Sequence, residues 1–142
     1  MSGTITEGAI TLPLNGSTTS YYDANSLLPL GEVNSEYMVV VGQPTLPTSV
    51  RVGDTGNLAV ANRYASSTKI SNLGTQTIVY VIEADTSNSA IIKLIGTTKN
   101  RSGTTTEIET TTYRLNSNNT MTKLQSSGVD LVNNISLTIT FQ

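Results

Sequence analysis

The residues best placed to do chemistry are two glutamates on one predicted strand. Glu107 and Glu109 are two positions apart, so they project from the same face of that strand. Such a pair could act as general acid and base if burial raised the pKa of one carboxyl. Ile108 is the only aliphatic residue of residues 104–114, and glutamate is most often solvated. The pattern favours an exposed strand face, so a β-sandwich hydrolase that uses only carboxylates (Glu107, Glu109 or Asp54) is the least favoured function.

The residue types that are missing remove most other kinds of site. The chain has no cysteine and no histidine, which excludes disulfides, thiolate nucleophiles and any triad that depends on histidine. Asp54 to Asn57, together with Asp85, could offer oxygen atoms to Ca²⁺, but this set lacks the ligand number of a calcium loop. An ordinary β-turn is favoured there. We therefore predict no catalytic residue, no metal site and no cofactor.

The charge pattern argues against polyanionic partners. The net charge is −2, from eight basic and ten acidic residues, and the basic residues are scattered, with no more than three in any window of ten residues. Nucleic-acid binding needs clustered Lys and Arg, so we expect neither nucleic acid nor a membrane as partner. The N-terminal residues lack the basic and apolar regions of a secretion signal. We expect the chain to be used where it is made, or to leave by cell lysis or a non-Sec route.

Aromatic and leucine residues near the N-terminus are the best candidates for contact with a partner. Tyr21 and Tyr22 lie in a polar stretch outside the obvious strands, and tyrosine anchors interfaces and stacks on sugar rings. The alternative is that tyrosine rings close the ends of the β core. Residues 13–35 also hold more leucine than a solvated linker would. We predict partner contacts through Tyr21, Tyr22, Leu27, Leu28 and Leu30.

Hydrophobic residues recur with a period of two, which is typical of strands. Residues 135–141 alternate strictly, and residues 77–83 and 90–95 are dense in β-branched residues. Further strands are predicted at about 4–12, 36–42, 48–52, 58–64, 104–115 and 120–125. Turn-forming clusters at 15–16, 53–57, 85–89, 100–103 and 116–119 separate them. These features predict an all-β fold: an antiparallel β-sandwich or partly closed barrel of about eight or nine short strands (residues 36–142), preceded by an extended N-terminal arm (residues 1–35).

The composition resembles accessory structural proteins of tailed-phage virions, namely head decoration (cement) proteins and fibre heads. The shared features are a body rich in Ser, Thr and Asn, the absence of Cys and His, the N-terminal arm and the regular final strand. The resemblance implies a non-enzymatic protein located in the virion and assembled in the host cytoplasm. It also implies docking on the major capsid protein and a homo-oligomer, with a trimer favoured.

A receptor- or carbohydrate-binding fibre head is the alternative. Tyr21, Tyr22, Tyr64 and the Asn-rich loops would then form a platform for a glycan.

Overall fold

The computed structural model describes residues 2–7, 10–15, 17–25, 28–45 and 47–141. These residues contain eleven strands and no helix. The strands are β1 (Ser2–Glu7), β2 (Ile10–Asn15), β3 (Thr19–Tyr22), β4 (Pro29–Val33), β5 (Tyr37–Val41), β6 (Thr55–Tyr64), β7 (Asn72–Thr86), β8 (Ser89–Asn100), β9 (Thr105–Asn116), β10 (Met121–Asp130) and β11 (Ile135–Thr140). Across the described ranges, no helix is long and apolar enough to cross a membrane.

The main sheet is an antiparallel meander in which each strand pairs with its neighbours in sequence. It has nine strands, from β3 at one edge to β11 at the other, and the two edges are not joined. Short polar turns make this order possible. In the turn between β8 and β9, Asn100 Oδ1 accepts hydrogen bonds from the backbone N–H groups of Ser102 and Thr104, both at 3.0 Å. Gly103 supplies the positive φ of 84° that closes this turn.

The strand register divides the side chains between two faces. Residues paired across an antiparallel ladder share a face, and one continuous face holds the pairs Gln76/Thr98 and Thr98/Glu107. We call it the front face; it continues to Glu32 on β4 and to Ile135 on β11. The back face holds the opposite set, including the pair Thr77/Thr97.

The sheet leaves most of its side chains partly accessible. Ala61 and Ile82 are the only buried hydrophobic residues among the side chains that the structure describes, which begin at residue 17. The accessible surface is 9716 Å², whereas a compact monomer of 15.0 kDa exposes about 7,000 Å². The chain therefore exposes roughly 2,700 Å² more than a self-contained domain of its mass.

The predicted all-β, antiparallel fold is confirmed. Among the described residues nine of the eleven strands form one open sheet, because the meander neither folds into two packed layers nor closes. Several strands are longer than predicted, up to the 15 residues of β7. Predicted strand 4–12 is divided between β1 and β2, and 48–52 forms bends and the start of a turn instead of a strand. The predicted hairpin turn Asn15–Gly16 lies partly outside the described residues, and Asn15 ends β2.

Part of the predicted arm belongs to the main sheet. β3 and β4 pair with each other, and β4 pairs with β5, so the predicted boundary at residue 35 falls in the turn between two paired strands. β1 and β2 form a separate two-stranded sheet. Whether residues 1–35 behave as a unit apart from residues 36–142 stays a prediction.

Candidate interaction surface

The front face contains a depression that crosses six neighbouring strands, which we call the trough. Its volume is about 470 Å³, and it extends from β4 to β9. The lining is mostly polar; it comprises Glu32, Asn34, Ser35, Glu36, Met38, Arg63, Gln76, Ile78, Leu94, Gly96, Thr98, Glu107, Glu109 and Thr111. Such a surface can donate and accept many hydrogen bonds without enclosing a ligand.

A two-point ion pair holds one end of the trough. Arg63 on β6 donates from Nη2 to Glu36 Oε1 at 2.6 Å and from Nε to Glu36 Oε2 at 2.8 Å. Glu36 comes from the turn between β4 and β5. Paired guanidinium and carboxylate groups fix each other's orientation, so this contact ties the turn to the sheet. Arg63 is the one cation among the described residues that line the trough.

Three further carboxylates face the trough, and none of them forms an ion pair with another described residue. The register places Glu107 and Glu109 on the front face of β9, and Glu32 lies on the same face of β4. Burial raises the pKa of Glu109, and the nearby charges of Glu107 and Glu32 raise it further, while Arg63 opposes the shift. Much of the Glu109 residue is accessible to solvent, but its carboxylate lies in a recess among like charges. We attribute the raised pKa to that position. No group of three acidic side chains suited to a metal ion occurs in the described ranges.

Gly96 provides the floor between the polar groups. A Cβ atom at this position would lie 3.6 Å from Gln76 Nε2 and 3.7 Å from Glu109 Oε2. Both distances are ordinary van der Waals contacts, so a methyl group would just fill the space. The missing side chain leaves the amide of Gln76 and the carboxylate of Glu109 on either side of a gap.

A second depression of about 370 Å³ lies beside the trough and shares Glu107 and Glu109 with it. Three apolar residues of β11 line its far side: Ile135, Leu137 and Ile139. All three are exposed. The front face therefore changes from acidic to apolar between β9 and the β11 edge.

The predicted partner-contact residues lie near the opposite edge. Tyr21, Tyr22 and Leu30 are 50%, 59% and 51% exposed, on β3 and β4. Leu28 is partly buried, and its carbonyl oxygen accepts a hydrogen bond from the Asp23 N–H at 2.9 Å. Leu27 lies outside the described residues. Exposure leaves the tyrosines accessible to a partner, but that contact stays a prediction.

The aspartates considered for Ca²⁺ serve local structure. Asp54 Oδ2 accepts a hydrogen bond from the Arg51 N–H at 2.6 Å, which closes a turn. Asp85 Oδ2 accepts from Arg114 Nε at 2.7 Å and from the Ser89 hydroxyl at 2.6 Å. The Arg114 hydrogen bond is the main reason why the pKa of Asp85 is lowered.

The chain has no detected relative. No protein-family model matches it, and neither a curated protein nor a solved structure is similar to it.

Proposed function

We propose that this chain is a non-enzymatic structural subunit of a virus particle, most simply a capsid decoration protein that docks on the major capsid shell. The observation that carries the proposal is the open main sheet, in a chain whose accessible surface exceeds that of a compact monomer by roughly 2,700 Å². A standard protein–protein interface buries about 800 Å² on each partner. The excess corresponds to about three such interfaces, which suits a subunit that contacts several neighbours.

The chemistry of the surface fits a structural role better than catalysis. A catalytic carboxylate is most effective where closure of the site excludes water. Glu107 and Glu109 instead lie on one face of an open sheet, in a depression that no described strand covers. Their charges favour a hydrogen-bonding or cationic partner surface, which a capsid shell can present.

Residues 1–50 contain no Lys or Arg, so the chain's own N-terminal strands cannot supply a positive charge to the trough. The complementary groups must come from residues after 50 or from another protein. This asymmetry supports a foreign partner for the front face. The proposed location is the virion, assembled in the host cytoplasm, and the proposed state is a homo-oligomer.

The test is whether the chain is a stoichiometric component of particles. Particles from the producing cells would be purified on a density gradient, and the chain quantified against the major capsid protein by mass spectrometry. We expect a fixed ratio across the particle fractions. The variant Arg63→Ala should lower incorporation, because it frees Glu36 and the turn that carries it; the exposed Arg101→Ala is the matched control. Presence of the chain only in soluble fractions would contradict the proposal.

Glycan binding at a fibre head is the second candidate, and the polar lining of the trough favours it. Carboxylate, amide and guanidinium groups lie together there, and these groups hydrogen-bond sugar hydroxyls. A glycan array probed with the full chain tests this candidate. Retention that is lost in Gln76→Ala but kept in Gln125→Ala would support it, and no retention on any glycan would exclude it.

A further inference from the structure

Strand β11 is an unprotected edge. It pairs with β10 on one side only. The Phe141 N–H donates to the carbonyl oxygen of Leu124, on β10, at 2.9 Å. Since N–H directions alternate along a strand, the backbone groups of Ser136, Thr138 and Thr140 point away from β10. Within the described residues these outward groups have no partner.

Soluble proteins usually protect such an edge with a charge, a proline or a bulge. β11 contains no charged residue and no proline, and its pairing with β10 is regular over all six residues. Its front-face residues Ile135, Leu137 and Ile139 are 60%, 41% and 39% exposed. β11 therefore offers both free backbone groups and apolar surface to an added strand.

The other edge is a poorer template. β3 has four residues, and its pairing with β4 is interrupted between Tyr21 and Tyr22. The number of strands also matters. Because the main sheet has nine antiparallel strands, β3 and β11 run in the same direction. Copies joined head to tail through these edges, with their front faces on the same side, would need a parallel pair, which is less stable per residue than an antiparallel one.

We propose that β11 pairs with β11 of a second copy across a two-fold axis, which extends the antiparallel sheet through both chains. A two-fold axis perpendicular to the sheet makes this pair antiparallel and keeps both front faces on the same side. An axis at Leu137 or at Thr138 satisfies the outward backbone groups. In either case the apolar residues of β11 from the two copies form one continuous cluster. This inference deepens the proposed function by naming a partner, and it rests on that function for its biological role.

The first experiment measures the mass of the full chain by equilibrium sedimentation. We expect two chains. Thr138→Pro removes an outward N–H that β10 does not use, and proline is tolerated at such edge positions. Each copy then lacks one N–H that would donate a hydrogen bond to the other copy, so the dissociation constant of the pair should rise about tenfold or more. Thr138→Val keeps the N–H and should retain the two-chain mass.

The second experiment remains informative if a proline variant misfolds. The chain has no cysteine, so a single introduced cysteine can form a disulfide only with the same residue of another copy. Residues facing each other across the axis have Cα atoms about 4.5–5.5 Å apart, within the range of a disulfide. Either Leu137→Cys or Thr138→Cys should form a linked pair of chains under mild oxidation, and the exposed Ile70→Cys should not. A one-chain or three-chain mass for the unmodified protein, or no link at either position, would overturn the inference.

These outcomes separate the two proposals. A chain that pairs through β11 but is absent from purified particles would refute the virion role and leave the pairing intact. A chain that is present in particles and fails both pairing experiments would do the reverse.

Discussion

At the residue scale, the acidic front face is the main electrostatic feature of the molecule. Glu109 is the carboxyl whose pKa is raised, by burial and by Glu107 and Glu32. The sequence predicted that Glu107 and Glu109 share an exposed strand face, and the register confirms the shared face. The sequence alone could not predict that Glu32 lies on the same face, because that prediction requires the register of every strand from β4 to β9.

The first prediction concerns Glu109→Gln. A raised pKa means that the folded chain binds the proton more tightly than the unfolded chain, so stability falls as pH rises from the ordinary value of 4.5 through the raised value. Glu109→Gln does not lose stability in this way, so it should have a higher free energy of unfolding than the unmodified chain at pH values above the raised pKa. Below the ordinary pKa the difference should be smallest. Urea unfolding at a series of pH values measures it.

The control for that titration is Glu83→Gln on the back face, where Lys93 Nζ lies 2.7 Å from the carboxylate. It removes a favourable ion pair, so no gain at neutral pH is expected. If Glu109→Gln is less stable than the unmodified chain at neutral pH, the carboxylate makes a favourable contact that this account omits.

At the element scale, strands and turns could be predicted where local chemistry determines them. The strict alternation of residues 135–141 predicted β11, and the Asn-containing clusters at 100–103 and 116–119 predicted turns that the structure contains. Residues 48–52 form no strand despite their two alternating valines, since Val50 and Val52 have no ladder partner among the described residues. β3 and β4 were not predicted as strands because both are short, β4 begins with Pro29, and their place in the sheet depends on the pairing of β4 with β5.

The second prediction compares two strand glycines. Gly74 on β7 has a φ of 134°, and an added Cβ would overlap the carbonyl oxygen of Lys99 and lie 2.8 Å from the carbonyl carbon of Asn100. Gly74→Ala should therefore lower the free energy of unfolding by more than about 1 kcal/mol. Gly128 on β10 has open space around its Cβ position, and Gly128→Ala should be neutral or slightly stabilising. Equal effects of the two substitutions would show that the backbones of β7 and β8 leave room for a Cβ atom at Gly74.

At the scale of the whole molecule, the main sheet stays open in a way that the composition could not reveal. The amount of apolar sequence was sufficient for a sandwich, but the strand order determines whether two layers form, and a sequential meander need not fold back on itself. The open sheet accounts for the large accessible surface and for the scarcity of buried hydrophobic residues.

The third prediction concerns the N-terminal strands. β1 and β2 pair only with each other, so deletion of residues 1–16 should leave the urea-unfolding midpoint of the main sheet nearly unchanged. Deletion of residues 1–35 also removes β3 and β4, which exposes the β5 edge, and should lower the midpoint. If the shorter deletion abolishes cooperative unfolding, the β1–β2 hairpin stabilises the sheet directly.

On the proposed function, another protein surface covers the front face in the native assembly. Hydroxyl-radical footprinting tests it most directly, by comparing side-chain oxidation in the free chain and in purified particles. Tyr22, Met121 and Leu137 are exposed on the front face, and buried Ile82 provides the unreactive reference. We expect strong oxidation of the three exposed residues in the free chain. In particles, at least Met121 and Leu137 should be protected from oxidation. Equal oxidation of all three in both states would contradict it.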